Sequence, residues 1–170
     1  TFNGEYVGDR AVLFCTIFNS LVFDFGLQQS LGNANFNFYI FKQLPMPSPD
    51  NLANSKLSIE GSERKQTFEE FLIDRGVELI WTSHSLDSLG TTVTNRDSPF
   101  EWDEDRRRRL RAEIDAAIAH LYGLTQDEFE YLLERFDILK ELEKEQFGIY
   151  KRKIECIEAF EKISLFEESL

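Results

Sequence analysis

The chain has 170 residues, of which 42% are hydrophobic and 29% charged, and a formal net charge of −12. That length suits one domain or two small ones, and 16 phenylalanines supply enough apolar surface for a packed core, which argues against a disordered chain. The acidic balance weighs against a free-standing nucleic-acid-binding module, which is ordinarily basic.

Arg10 to Gln29 predicts one helix, with Leu13, Ile17, Leu21 and Phe25 recurring every four residues and Gly26 and Gly32 bracketing its end. Its apolar run, Ala11 to Leu27, carries Asn19, Ser20 and Asp24. The run falls short of the ~20 apolar residues that a membrane span needs, so it reads as a helix buried on most sides. No signal peptide is visible. Next, Asn35, Asn37 and Tyr39 alternate with Phe36, Phe38 and Ile40, the period-two signature of a strand with one buried face. Pro45, Pro47 and Pro49 stop that strand and start an extended connection. Pro49 to Ser62, rich in Asn, Ser and Pro, is the most loop-like stretch and the candidate boundary between two halves, residues 1–50 and 51–170. Phe68 to Leu86 predicts a helix, and Gly90 to Pro99 a polar loop.

The C-terminal half has clear helical punctuation. Asp103 can cap a helix running to Tyr122, with Leu110, Ile114, Ala117, Ile118 and Leu121 as its apolar stripe. Gly123 stands where a helix-ending glycine belongs. Thr125-Gln126-Asp127-Glu128 is a capping box, with Leu124 and Phe129 spaced for a hydrophobic staple. Phe129, Leu132, Leu133 and Phe136 continue the stripe. A last helix, about Glu141 to Ile163, is expected to bury Phe147, Tyr150, Ile154, Ile157 and Phe160. The expected fold class is mostly α (α+β): a helical bundle-like C-terminal region with a small β element near residues 34–44.

The search for resident chemistry is largely negative. No GxGxxG or GxxxxGKS/T motif offers a phosphate cradle. Cys15 and Cys156 stand far apart, without a CxxC or a Cys/His cluster. They read as ordinary core thiols, not as a disulfide framework or zinc site, with a reducing cytoplasm expected. His84 and His120 lack ligand spacing, and His120 lies beside an apolar stripe, which suits a structural role. The 31 acidic residues read as solvated faces, and nothing among them selects a general acid and base pair. No catalytic and no metal-ligating residue is expected.

Arg106-Arg107-Arg108-Arg109, followed by Arg111, is the only dense basic run. Successive helical residues point about 100° apart, so Arg107 and Arg111 share one face and Arg106 and Arg109 another. Asp103, Glu104 and Asp105 precede the run and suit the helix N-terminus. A solvated, salt-bridged helix and a phosphate contact through Arg106 and Arg107 are both open readings. In residues 33–47, Asn33, Asn35, Asn37, Lys42 and Gln43 stand among aromatics beside a proline-stiffened turn. Asn and Gln can pair with adenine in the major groove, and Lys can contact guanine or phosphate; a plain edge hairpin is the alternative.

Phe18-Asn19-Ser20-Leu21-Val22-Phe23-Asp24-Phe25, then Asn35-Phe36-Asn37-Phe38-Tyr39-Ile40-Phe41-Lys42-Gln43-Leu44-Pro45-Met46-Pro47, resemble a pattern late in large bacterial adenine-specific DNA methyltransferases, where a helix precedes a strand ending in Lys-Gln-Leu-Pro. These include single-chain (type IIG) restriction-modification enzymes and related phage-defence methylases. Leu79 to Leu86, Pro99 to Asp103, Arg111 to Ala117 and His120 to Leu124 match in the same order, so the resemblance covers about Leu13 to Ile138. It implies that residues 10–47 close a target-recognition domain and that the following helices support it. The family's methyl-donor pocket needs a glycine-rich turn, and its catalytic loop reads Asn/Asp-Pro-Pro-Tyr/Phe to hold a flipped adenine. Neither occurs here, since prolines 45, 47, 49 and 99 are never adjacent.

The resemblance therefore implies no cofactor in this chain, with S-adenosylmethionine expected in the parent enzyme. The implied partners are double-stranded DNA, met through the full-length enzyme, and an upstream methyltransferase domain of the same chain; no membrane is implied. The opening at Thr1 instead of a methionine fits a piece of a longer protein. A basic DNA cleft shared with other domains accommodates an acidic back face. A second reading, from another class, is an acidic helical protein-interaction module without nucleic-acid binding, favoured by the surface charge and the surplus of Phe.

Overall fold

The computed structural model describes residues 4–31, 38–62 and 64–166. The fold is mostly α with a small antiparallel sheet, as the composition and periodicities predict. Its first helix, α1 (Gly4–Phe18), does not run on to residue 29 but gives way at Asn19-Ser20 to α2 (Leu21–Leu31), bent by 66° from it. Polar side chains cause the break. Asn19 Nδ2 donates to the Cys15 carbonyl at 2.8 Å, while Ser20 Oγ donates to Ile17 O and accepts from Phe23 N. Ser20 thus supplies the first turn of α2 with a helix-starting acceptor. Among the described residues, no single helix is long and apolar enough to cross a membrane.

Phe38–Phe41 forms a helical turn, α3, where a strand is expected; Asn33, Asn35 and Asn37 lie outside the described residues. Phe38 and Phe41, three residues apart, stack at 6.1 Å, and Phe41 also packs on Phe18. The period-two pattern misleads because Phe38 and Tyr39 are 70% and 72% exposed, so the alternation does not mark a buried face. Pro49–Asn54 (α4) is capped by Ser48 Oγ and starts with a proline, where the missing N–H costs nothing. The supposed loop at 49–62 therefore holds a helix followed by strand β1 (Lys56–Ile59).

β1 is the centre of the sheet. It pairs with β2 (Gln66–Thr67) on one side and with β3 (Ile163–Phe166) on the other, in register Leu57↔Leu165 and Ile59↔Ile163. The β element is thus at 56–67 and 163–166, not at 34–44.

α5 (Phe68–Ile80) opens on a capping box between Thr67 and Glu70 and buries Phe68, Phe71, Leu72 and Val77. It stops at Trp81, short of Leu86; a 3-10 turn (His84–Leu86) and α6 (Asp87–Val93) follow, so Gly90 to Val93 are helical rather than loop. Trp81 is fully buried, its Nε1 donating to Asp87 Oδ1 and its ring meeting Phe100 edge-on.

α7 (Glu104–Leu121) begins at Asp103, whose carboxylate accepts from Arg106 N, as its sequence predicts. Ala112, Ala116, Ala117 and Ala119 give it a small-residue buried surface, against which α5 and α10 pack closely. Gly123, at φ +70°, ends it in a Schellman arrangement, with Gly123 N bonded to His120 O and Leu124 N to Ala119 O. Thr125 and Glu128 form the capping box of α8 (Gln126–Leu133). The expected last helix is two, α9 (Asp137–Phe147) and α10 (Lys151–Lys162), separated at Gly148 with φ +78°. Phe147 and Ile154 are consequently exposed, whereas Tyr150 is buried and donates to Leu133 O. The main core runs from Leu13 on α1 through Phe71, Ile118 and Leu133 to Ile163.

Candidate functional site

Two regions gather the residues that the sequence singles out. The first surrounds Lys42 and Gln43. Turn-type bonds, Lys42 N to Phe38 O and Gln43 N to Ile40 O, carry α3 into the proline segment. Leu44 is buried and anchors the turn, and the Tyr122 hydroxyl donates to Pro45 O. Burial pushes the Tyr122 phenol up to about 12, so it remains a donor at neutral pH. Lys42 and Gln43 are exposed, and the Lys42 ammonium lies 4.6 Å from the Phe38 ring centre. A basic and an amide side chain are therefore presented beside exposed Phe38 and Tyr39, on a turn clamped at its far end. Behind the clamp is an apolar cavity of about 450 Å³, with Val22, Phe23, Leu44 and Tyr122 in its wall.

The second region is the arginine run, whose members have different fates. Arg106 makes a forked pair with Glu78, at 2.8 and 3.0 Å, and Arg108 binds Glu155 and Asp105. These two have the salt-bridged role, and Glu78 and Glu155 hold their pKa values above the ordinary arginine value against some burial. Arg107 does not follow them. It is only 8% exposed, its Nη1 donates to Leu79 O at 2.9 Å and its guanidinium lies 3.7 Å from the Trp102 ring centre. Its buried Nε has no hydrogen-bond partner among the described residues. Burial lowers the Arg107 pKa first, and the like charge of Arg111 lowers it further, against a smaller opposing pull from Glu104.

Arg107 and Arg111 lie one turn apart on α7 and line a cavity of about 540 Å³ together with Arg152 of α10 and Cys15 of α1. Arg152 is neutralised there by buried Asp115. Gly76 of α5 also contributes: a Cβ on it would stand 1.9 Å from Thr16 Oγ1, so glycine is what lets α5 approach α1. The shared face of Arg107 and Arg111 is legible in their spacing. Cys15, Gly76 and Arg152 come from other helices, and no local signal links them to it. Cys15 is exposed at this cavity rather than buried in the core, in contrast to Cys156.

The histidines have structural partners. His120 Nε2 bonds Phe160 O at 3.0 Å with its ring stacked on Phe160, and His84 meets Asp87 at the surface. Among the described residues, no group of three His, Cys, Asp or Glu side chains is placed to hold a metal. Comparison with known proteins finds no matching family model, no matching curated relative and no matching solved structure.

Proposed function

We propose that the chain is the non-catalytic C-terminal region of a site-specific adenine DNA methyltransferase, where it contributes to target recognition and braces the recognition surface. One observation carries this reading: the short segments on which the resemblance rests are bonded to one another. Leu21 N donates to Asp115, which joins the Phe18–Phe25 segment to Arg111–Ala117. Tyr122 donates to Pro45, which joins His120–Leu124 to Lys42–Pro47. Phe100 N donates to Trp81 O, which joins Pro99–Asp103 to Leu79–Leu86. Motifs weak one at a time are thus tied together in three pairs, one of which carries exposed Lys42 and Gln43.

In this reading S-adenosylmethionine and the flipped adenine belong to an upstream methyltransferase domain of the same protein. Lys42 and Gln43 touch double-stranded DNA. Arg106 is a brace, because its guanidinium is held by Glu78. Replacing Lys42 and Gln43 together by Ala in the intact enzyme is expected to weaken or redirect site-specific methylation. Unchanged methylation at the same DNA sites would remove these two residues from the recognition surface.

A second reading, an acidic protein-interaction module, is favoured by α9. Among its described side chains none is buried, and Ile138 and Leu142, one turn apart, are both exposed. Ile138→Ser with Leu142→Ser separates the readings, since a DNA-recognition region keeps its methylation pattern in that variant.

A further inference from the structure

The arginine-lined cavity between α1, α5, α7 and α10 carries an inference independent of the DNA reading. Carboxylates in this region are abundant and are used: Glu113, Glu78, Glu155 and Asp115 pair with Arg75, Arg106, Arg108 and Arg152. Arg107 and Arg111 have no carboxylate partner among the described residues, although Arg107 is more than nine-tenths buried and its Nε is unpartnered. Withdrawing a cation from water without a counter-ion is unfavourable, and a like charge one helical turn away adds to the penalty. Two positive charges without an ion-pair partner among the described residues therefore stand against one cavity, in a chain whose net charge is −12.

Charge and volume select the ligand class. A phosphate monoester carries about −1.5 to −2 at neutral pH and matches two arginines, whereas a carboxylate matches one. Guanidinium groups also bond phosphate oxygens in parallel pairs. The cavity, at about 540 Å³, lies in the range of small-molecule sites and exceeds what a bare phosphate fills. Leu79, Ile80 and Ile114 add apolar wall. The overall acidity repels an anion at long range, but a Debye length of about 8 Å at physiological ionic strength leaves the local arginines dominant. We propose that this cavity binds a small phosphate monoester with an apolar body, the phosphate between Arg107 and Arg111 and the body against Leu79, Ile80 and Ile114.

The test titrates the 170-residue chain calorimetrically with phenyl phosphate, benzoate, inorganic phosphate and a DNA duplex lacking terminal phosphates. Arg111 is exposed and makes no ion pair among the described residues, and its charge opposes that of Arg107, so Arg111→Glu is expected to melt no earlier than wild type. Arg109→Glu makes the same charge change on an exposed residue that is not part of the cavity. Phenyl phosphate is expected to bind saturably to wild type and to Arg109→Glu. Its affinity should drop by about tenfold or more in Arg111→Glu, with benzoate and inorganic phosphate weaker than phenyl phosphate by a similar factor. Alkylation of Cys15, at the cavity, gives a second readout: phenyl phosphate slows it in wild type and not in Arg111→Glu. No saturable binding, or equal loss in Arg109→Glu and Arg111→Glu, overturns the site. Inorganic phosphate binding as tightly as phenyl phosphate overturns the apolar body. Displacement of phenyl phosphate by the duplex overturns the small-molecule assignment in favour of a backbone phosphate.

Discussion

The Asp115 carboxylate, fully buried on α7, accepts from Arg152 Nη2 of α10 at 2.5 Å and from the backbone N–H of Leu21 at 2.8 Å. One side chain thus neutralises a buried cation and satisfies the first turn of α2. Burial is the largest single influence on the Arg152 pKa and lowers it, but the charge and hydrogen bonds of Asp115, with further help from Cys156 and Glu143, together outweigh it and hold the guanidinium protonated. Removing one member of such a pair costs about 3–5 kcal/mol, chiefly from the charge left behind. Asp115→Ala is expected to lose that much in urea unfolding. The melting temperature should fall by about 2–4 °C for each kcal/mol. Asp115→Leu combined with Arg152→Met should recover most of the loss. A single variant within about 1 kcal/mol of wild type would mean that the pair is not held dry.

Gly90 faces a different constraint, because a Cβ built on it would stand 1.9 Å from Trp81 Cδ2. Trp81 is fully buried and bonded to Asp87 through its indole N–H, so it has nowhere to retreat. Gly90→Ala is therefore expected to cost at least about 1–3 kcal/mol as overpacking. In a Trp102→Phe background, which removes the exposed tryptophan, the emission of Trp81 should also shift to longer wavelength. Unchanged emission and unchanged stability together would contradict the packing of α6 on Trp81.

His120 makes the fold sensitive to pH. Burial lowers its pKa below the ordinary histidine value, and its bond to Phe160 O opposes that only in part. A histidine with a depressed folded pKa contributes full stability above the unfolded value of about 6.5. As pH falls below that value, the unfolded chain takes up the proton first, and the contribution is lost down to the folded pKa. Melting temperature should therefore fall between about pH 7 and 5 more steeply in wild type than in His120→Gln. Parallel curves for the two proteins would mean that His120 titrates alike in both states.

How far the fold was legible follows from the range of each cause. Asp103, Gly123 and the Thr125–Glu128 box act within one turn of helix, and all three stand where the sequence predicts them. The break at Ser20 is different, because α2 is completed by Asp115, 94 residues away, while the apolar periodicity runs across it undisturbed. Most of the sheet is also non-local: β1, in a stretch of Asn and Ser, meets only the two residues of β2 nearby and gains its longer partner when Ile163–Phe166 returns from the far end of the chain. For the candidate sites, the shared face of Arg107 and Arg111 was readable from spacing. That Glu78 and Glu155 would claim Arg106 and Arg108, and leave Arg107 without a carboxylate, required the packing of α5 and α10 on α7.

The two thiols test that packing directly. Cys15 is exposed on α1, whereas Cys156 is fully buried on α10, with its Sγ 3.8 Å from Asp115 Oδ2. Burial pushes the Cys156 thiol well above its ordinary pKa, and the nearby Asp115 carboxylate adds to that against the opposing pull of Arg152. Since the thiolate is the reacting species, Cys156 is shielded by both access and ionisation. Native protein should therefore react rapidly with a thiol reagent at one site per chain, and at a second only in denaturant. The slow phase in Asp115→Ala should quicken relative to wild type, because loosening α10 from α7 raises the population in which Cys156 is accessible. Two fast thiols in the native wild type would place Cys156 at the surface and remove the closed α7–α10 interface on which the Asp115–Arg152 pair depends.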